Sequence, residues 1–154
     1  MWDETKEKAE FEFGQLRKLI AISESFSVRM EKADAGQADI MAMAVILHSF
    51  YSGIENIFER IAKEIDNELP RGPNWHSDLL VSMTRPNNQR PAVVSEDMAA
   101  VLKGYLGFRH TFRNIYIFNL ELTKMRPLIL HMRATFDGLE KEIRSFFSGG
   151  KKES

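Results

Sequence analysis

The stretch DIMAMAVILHSFYSGIENIFERIAKEIDNEL, residues 39–69, decides the fold. Its apolar residues fall at 40, 43, 44, 47, 50, 51, 54, 57, 58, 61, 65 and 69. Most of these steps are of three or four residues, the period of an α-helix, with no sustained alternation of the kind a strand needs. Two ladders run along it, 40/44/47/51 beside 43/50/54/57, and give the helix more apolar surface than one neighbour covers. Burial at the centre of a bundle uses that surplus, and a homodimer face is the second way to cover it. Asp39 is the expected N-cap, and Leu69-Pro70-Arg71-Gly72-Pro73 is expected to stop the helix.

Outward from this helix the same period continues. Apolar residues at 9, 13, 16, 19, 20, 26 and 30 predict a first long helix, interrupted only near Ser23–Ser25 and ending near Gly36. A short helix fits between Asn74 and Thr84, and Arg85-Pro86-Asn87-Asn88-Gln89-Arg90-Pro91 reads as an exposed loop. Ser95, followed by Glu96 and Asp97, predicts the start of a third long helix with a core stripe at 98, 101, 105, 108, 112 and 115. After a turn near Asn119–Thr123, the last helix takes Pro127 in or near its first turn and carries apolar residues at 125, 128, 129, 132, 136, 139, 143, 146 and 147 until Gly149-Gly150. The pattern has no internal repeat. It predicts an all-α, antiparallel bundle of four long helices plus a short extra one, a single domain over residues 1–148 with 149–154 a frayed tail.

Composition narrows the chemistry. At 154 residues, 44% hydrophobic and 28% charged, the chain is globular and sized for one core. The absence of cysteine removes disulfides, cysteine-ligated zinc, iron–sulfur clusters and thiol nucleophiles. The longest apolar run, Ile40–Leu47, is short of the roughly 20 residues of a membrane span, and the start Met1-Trp2-Asp3-Glu4-Thr5-Lys6 lacks a signal-peptide layout, so a cytoplasmic protein without membrane contact is expected. No Walker A or G-x-G-x-x-G motif is present, and His48, His76, His110 and His131 are scattered with no HExxH, so neither a cofactor nor a metal is expected. His48 and Glu55, seven apart, share a helix face as a carboxylate–imidazole pair or as an ordinary polar stripe; His76 and His131 read as surface residues.

The net charge of −1 hides an asymmetry. Residues 1–70 carry 8 Lys/Arg against 14 Asp/Glu, whereas residues 85–133 carry 8 Lys/Arg against only Glu96, Asp97 and Glu121. Such a basic segment suits a phosphate site, a complementary face of an assembly, or simply a solvated helix face. Its densest part is Gly107-Phe108-Arg109-His110-Thr111-Phe112-Arg113-Asn114-Ile115-Tyr116. On an unbroken helix Arg109, Arg113 and Tyr116 would lie within about 60° of one another, with His110 and Asn114 on a second stripe about 100° or more away. Guanidinium groups grip phosphate bidentately, imidazole moves protons near neutral pH, and a phenol donates or attacks. The plainer alternative is a polar face with one arginine paired to an acid such as Glu55.

This segment resembles the motif of HEPN domains of the HepT-like ribonuclease toxin branch: Arg, four residues, His, one residue, Tyr, near the end of the third long helix. Arg109 and Tyr116 fall on the motif's Arg and Tyr, and Phe50-Tyr51-Ser52-Gly53-Ile54-Glu55-Asn56-Ile57-Phe58 is similar to that branch too, so the likeness spans roughly residues 10–147. Asn114 stands where the motif has its histidine, and an amide cannot act as a general base at pH 7. The resemblance implies a homodimeric, metal-independent endoribonuclease toxin whose antitoxin is a minimal nucleotidyltransferase that caps Tyr116 with AMP. In that reading Arg109 and Arg113 stabilise charge on phosphorus, His110 transfers protons, Asn114 and Tyr116 position the RNA, and Glu55 supports the site. The alternatives are a non-catalytic HEPN module binding RNA, nucleotide or a protein, and a structural dimer whose basic face meets an acidic subunit.

Overall fold

The computed structural model describes residues 2–32 and 36–152. The ladder that begins at Ile40 forms α2 (Gln37–Ile61), preceded by α1 (Asp3–Lys32) and continued by a π-helical turn over Ala62–Asp66. Then come α3 (Trp75–Met83), α4 (Glu96–Asn114), a 3-10 turn over Ile117–Asn119, α5 (Leu122–Leu130) and α6 (Met132–Lys152). Among the described residues there is no β-strand, only an isolated bridge between Asn87 and Arg90. The all-α bundle with four long helices is therefore present, with two short helices rather than one.

α2 is the centre. Met43, Ala44, Leu47, Phe50, Tyr51, Ile54, Phe58 and Ile61 are all buried, and they spread around the helix because α1, α3, α4 and α5 each pack on it. Gly53 marks the closest approach of α1: a Cβ there would stand 2.7 Å from Leu16 Cδ2, so hydrogen in place of a side chain sets the helix spacing. By length and composition Gln37–Asp66 is apolar enough to cross a membrane, but half of its apolar window is buried inside the bundle. On the far side, α6 closes the core with Met132, Phe136, Leu139, Ile143, Phe146 and Phe147, the positions its spacing predicts. Arg144 ties α6 to α1 through Glu10 and lies 5.0 Å over the Phe13 ring. The predicted α1 positions Ala9, Phe13, Leu16 and Ile20 are buried as well, while the Met30 side chain lies outside the described residues.

Several local expectations are corrected. Gly36, not Asp39, is the N-cap of α2; Asp39 sits in the first turn and its carboxylate accepts the Gly36 N–H at 3.1 Å. The helix stops before the proline-rich stretch, at Asn67, whose left-handed φ of 58° an asparagine tolerates. Ser95 caps α4 as predicted, accepting the Met98 N–H at 3.0 Å, and Tyr105 and Phe108 are buried as predicted, but Ala99 and Leu102 complete the buried stripe and Val101 is 47% exposed. The Tyr105 hydroxyl donates to the Leu128 carbonyl at 2.7 Å, which fixes α4 against α5. The last predicted helix is two: Pro127, inside α5, supplies no N–H, and the helix breaks one turn later at His131. Gly149-Gly150 do not end α6, which continues to Lys152; Glu153 and Ser154 lie outside the described residues.

The loop after α3 is not simply exposed. The Arg90 side chain is 1% exposed, with Nε and Nη2 on the two carboxylate oxygens of Asp66 at 2.8 and 2.9 Å. Its Nη1 donates to the carbonyls of Arg85 and Pro91 at 2.9 and 3.0 Å. This clamp joins the end of the π-helical turn to the segment behind α3, and so holds the helix that carries His76.

Candidate functional site

Three elements converge near the C-terminal end of α4. From α2 come His48, Tyr51 and Glu55; from the first turn of α3 comes His76; from α4 come Arg109, Phe112 and Arg113. Phe108 is buried and Phe112 packs against the core, so the helix face between them is pulled inward and Arg109 is carried into partial burial. Glu55 is only 4% exposed, and its Oε2 lies 2.7 Å from His76 Nδ1. His76 stacks on Trp75 at 3.7 Å between ring centroids, and Arg109 Nη1 stands 3.5 Å from the same Nδ1. His48 leans on Phe112 at 5.3 Å.

The electrostatics of this cluster are unbalanced. Among the described residues neither Arg109 nor Arg113 lies within 4.0 Å of a carboxylate, so the expectation of an arginine paired with Glu55 is corrected. Three buried polar atoms have no hydrogen-bond partner: Arg109 Nε, the Tyr51 hydroxyl and His48 Nδ1. All three lie in this cluster, where the charge of Arg109 reaches both His48 and Tyr51. Burial pushes the Tyr51 phenol well above its ordinary range, with the Glu55 charge adding to the rise and Arg109 opposing it. Burial also lowers His48, and the positive charges of Arg109 and Arg113 lower it further, so its imidazole is neutral at pH 7.

The predicted residues separate into two groups. Arg109 belongs to the cluster, with Arg113 one turn further on and exposed. His110 is exposed, with no side-chain hydrogen bond among the described residues, and Asn114 turns back to donate from Nδ2 to the His110 carbonyl at 2.9 Å. The amide thus bonds back onto the preceding turn, to the carbonyl four residues earlier, and Asn114 is the last residue of α4. Ile115 is extended at φ −122° and ψ 148°, so Tyr116 leaves the helix and the predicted Arg109–Arg113–Tyr116 stripe holds only for the arginines. Tyr116 is 73% exposed and stacks on Phe118 at 5.5 Å, which rules out a tyrosine closing the core edge.

Glu55 does not pair with His48, as a shared helix face suggested, but with His76. The histidine was read as a surface residue because it lies 21 positions away on another element. The legible signal was Glu55 itself, an acid set among the apolar positions of α2, which requires a partner when buried. A cavity of about 230 Å³ opens on the opposite side of α4, between Gly104, Phe108, Thr111, Leu120 and Leu128; Arg109 does not line it.

The chain is an all-helical bundle that brings two arginines, neither in a salt bridge among the described residues, to the end of α4. A family model described as HepT-like protein matches residues 42–149, and the chain belongs to that family. The match spans the quoted α2 stretch and the whole of Arg109–Tyr116. No curated protein and no solved structure matches the chain.

Proposed function

We propose that this chain is the toxin half of a HEPN and minimal-nucleotidyltransferase pair, a homodimeric endoribonuclease that cleaves RNA without a metal. The observation that carries the reading is Arg109, half-buried within the family match, with no carboxylate within 4.0 Å among the described residues and an unpaired Nε. Arg109 stabilises the extra negative charge on phosphorus, and Arg113 holds the backbone beside it. His110 delivers a proton to the departing 5′-oxygen, while Asn114 and Tyr116 position the RNA. Supporting the homodimer, Met41 and Val45 on α2 and Tyr116, Ile117 and Phe118 beyond α4 are exposed apolar side chains, and Gln37 joins the two elements by donating to the Ile117 carbonyl at 3.2 Å.

The test is purified protein on structured and single-stranded RNA in the presence of a chelator, with light scattering on the same sample. Cleavage leaving 2′,3′-cyclic phosphate ends, by a dimer, is the expected result. The second reading, a non-catalytic module binding RNA, nucleotide or protein, is favoured by Asn114 in the motif's histidine position; protein inert both before and after Asn114→His would establish it.

Regulation by AMP on Tyr116 is part of the same proposal, and its support is exposure. A phenol 73% open to solvent is reachable by a transferase, and the adduct would bring negative charge and bulk beside the arginines. Co-expression with the partner nucleotidyltransferase should add one AMP to the intact mass, lost in Tyr116→Phe. Retention of the adduct in that variant would move the acceptor elsewhere.

A further inference from the structure

If this chain cleaves RNA, as proposed above, the 2′-hydroxyl must lose a proton, and Asn114 cannot take it. We propose that His76, oriented by Glu55, is the general base. The other histidines fit the role poorly. His110 is exposed with no group to fix its ring, His131 caps the end of α5, and His48 has its Nδ1 buried against Phe112 with no carboxylate behind it.

His76 has what a base requires. Its Nδ1 lies 2.7 Å from a carboxylate that is 4% exposed, so Nδ1–H donates to Glu55 Oε2 and the lone pair is left on Nε2. That carboxylate also stabilises the imidazolium once the proton arrives, the role a buried acid plays behind a catalytic histidine elsewhere. Nε2 has no protein partner among the described residues, and the side chain keeps 21% of its surface, so the free nitrogen can be reached. Stacking on Trp75 holds the ring plane. With Nδ1 already committed to Glu55, the 3.5 Å approach of Arg109 Nη1 is a packing contact, and it sets the guanidinium against the imidazole. A phosphate gripped by Arg109 therefore brings its neighbouring ribose to His76.

The step balances as follows. The 2′-oxygen forms a bond to phosphorus as its proton passes to His76 Nε2. The bond from phosphorus to the 5′-oxygen breaks with its electron pair on oxygen, and the His110 imidazolium donates the proton that oxygen needs. Solvent then removes the proton from His76 and restores the one on His110. Glu55 touches no reacting atom and is a positioning residue.

The experiment measures single-turnover cleavage of one RNA by wild type, His76→Ala, His76→Gln and Glu55→Gln, each checked for helical content and dimer state. His76→Ala is expected to lose about a hundredfold in kcat. Free imidazole in the buffer should restore part of that loss, because the vacated ring site lies open beside Glu55, and it should not help Arg109→Ala. His76→Gln keeps a hydrogen-bonding group near Glu55 and should fold, yet it should lose the same activity. Glu55→Gln should lower kcat with KM little changed. Wild-type cleavage with His76→Ala within about twofold would overturn this inference and leave the ribonuclease reading standing. Loss in both His76 variants without imidazole rescue would also overturn it, making the residue structural. Wild-type protein inert on every RNA would overturn the ribonuclease reading and the base assignment with it.

Discussion

Replacing Arg109 with alanine is expected to lower RNA cleavage by about a hundredfold to a thousandfold, about 3–4 kcal/mol of transition-state stabilisation. The guanidinium sits half-buried where desolvation strengthens its attraction for a phosphorane-like centre, and among the described residues no carboxylate lies within 4.0 Å of it. The same environment predicts little harm to the fold. Alanine removes a buried Nε that has no partner, so the thermal midpoint should hold or rise slightly. Arg109→Lys should recover only part of the activity, since an ammonium keeps the charge but loses the fork that matches two phosphate oxygens. Full activity in Arg109→Ala would remove the residue from the mechanism, and collapse of the fold would give it a structural role instead.

Asp66→Ala is expected to cost about 3–5 kcal/mol of stability, because it leaves the Arg90 guanidinium buried without its counter-charge. Both carboxylate oxygens are engaged, and the arginine side chain is 1% exposed. Arg90→Met should be destabilising too, since it strands Asp66 and withdraws the donors that serve the Arg85 and Pro91 carbonyls. The double variant should cost less than the sum of the two, as contacting partners do. Urea denaturation of the four proteins measures this directly. A loss below about 1 kcal/mol in Asp66→Ala would mean that the loop re-forms without the clamp. Cleavage should fall as well in partly folded variants, since the clamp lies behind the helix that presents His76.

How much of this was legible in the sequence follows from what each feature depends on. α1, α2 and α6 were readable because their burial repeats with the helix period, and Phe136, Leu139 and Ile143 are buried where spacing alone puts them. The α4 stripe was misread by a residue or so, since Val101 is apolar but faces outward while Ala99 and Leu102 face in; hydrophobicity marks candidates, and packing chooses among them. Nothing local reveals that Asp66, 24 positions earlier, meets Arg90, so by sequence that segment reads as an exposed loop. The family motif led to Arg109, which the structure brings into the buried cluster. The same reasoning extends the helix through Tyr116, but α4 ends at Asn114 and the extended Ile115 sends the chain outward. His76 could not be found by pattern at all. Its importance comes from three separate elements meeting, and no single window of sequence contains them.

The three unpaired atoms at Arg109, Tyr51 and His48 have a consequence for how this chain balances fitness against folding. A sequence tuned only for thermal endurance would have filled these positions with apolar side chains, and the free protein is to that extent a frustrated solution to its own folding problem. The frustration is local, and an occupant that supplies the missing acceptors and donors relieves it. A ligand bonded to these atoms would therefore raise the resistance of the chain to heat by mass action.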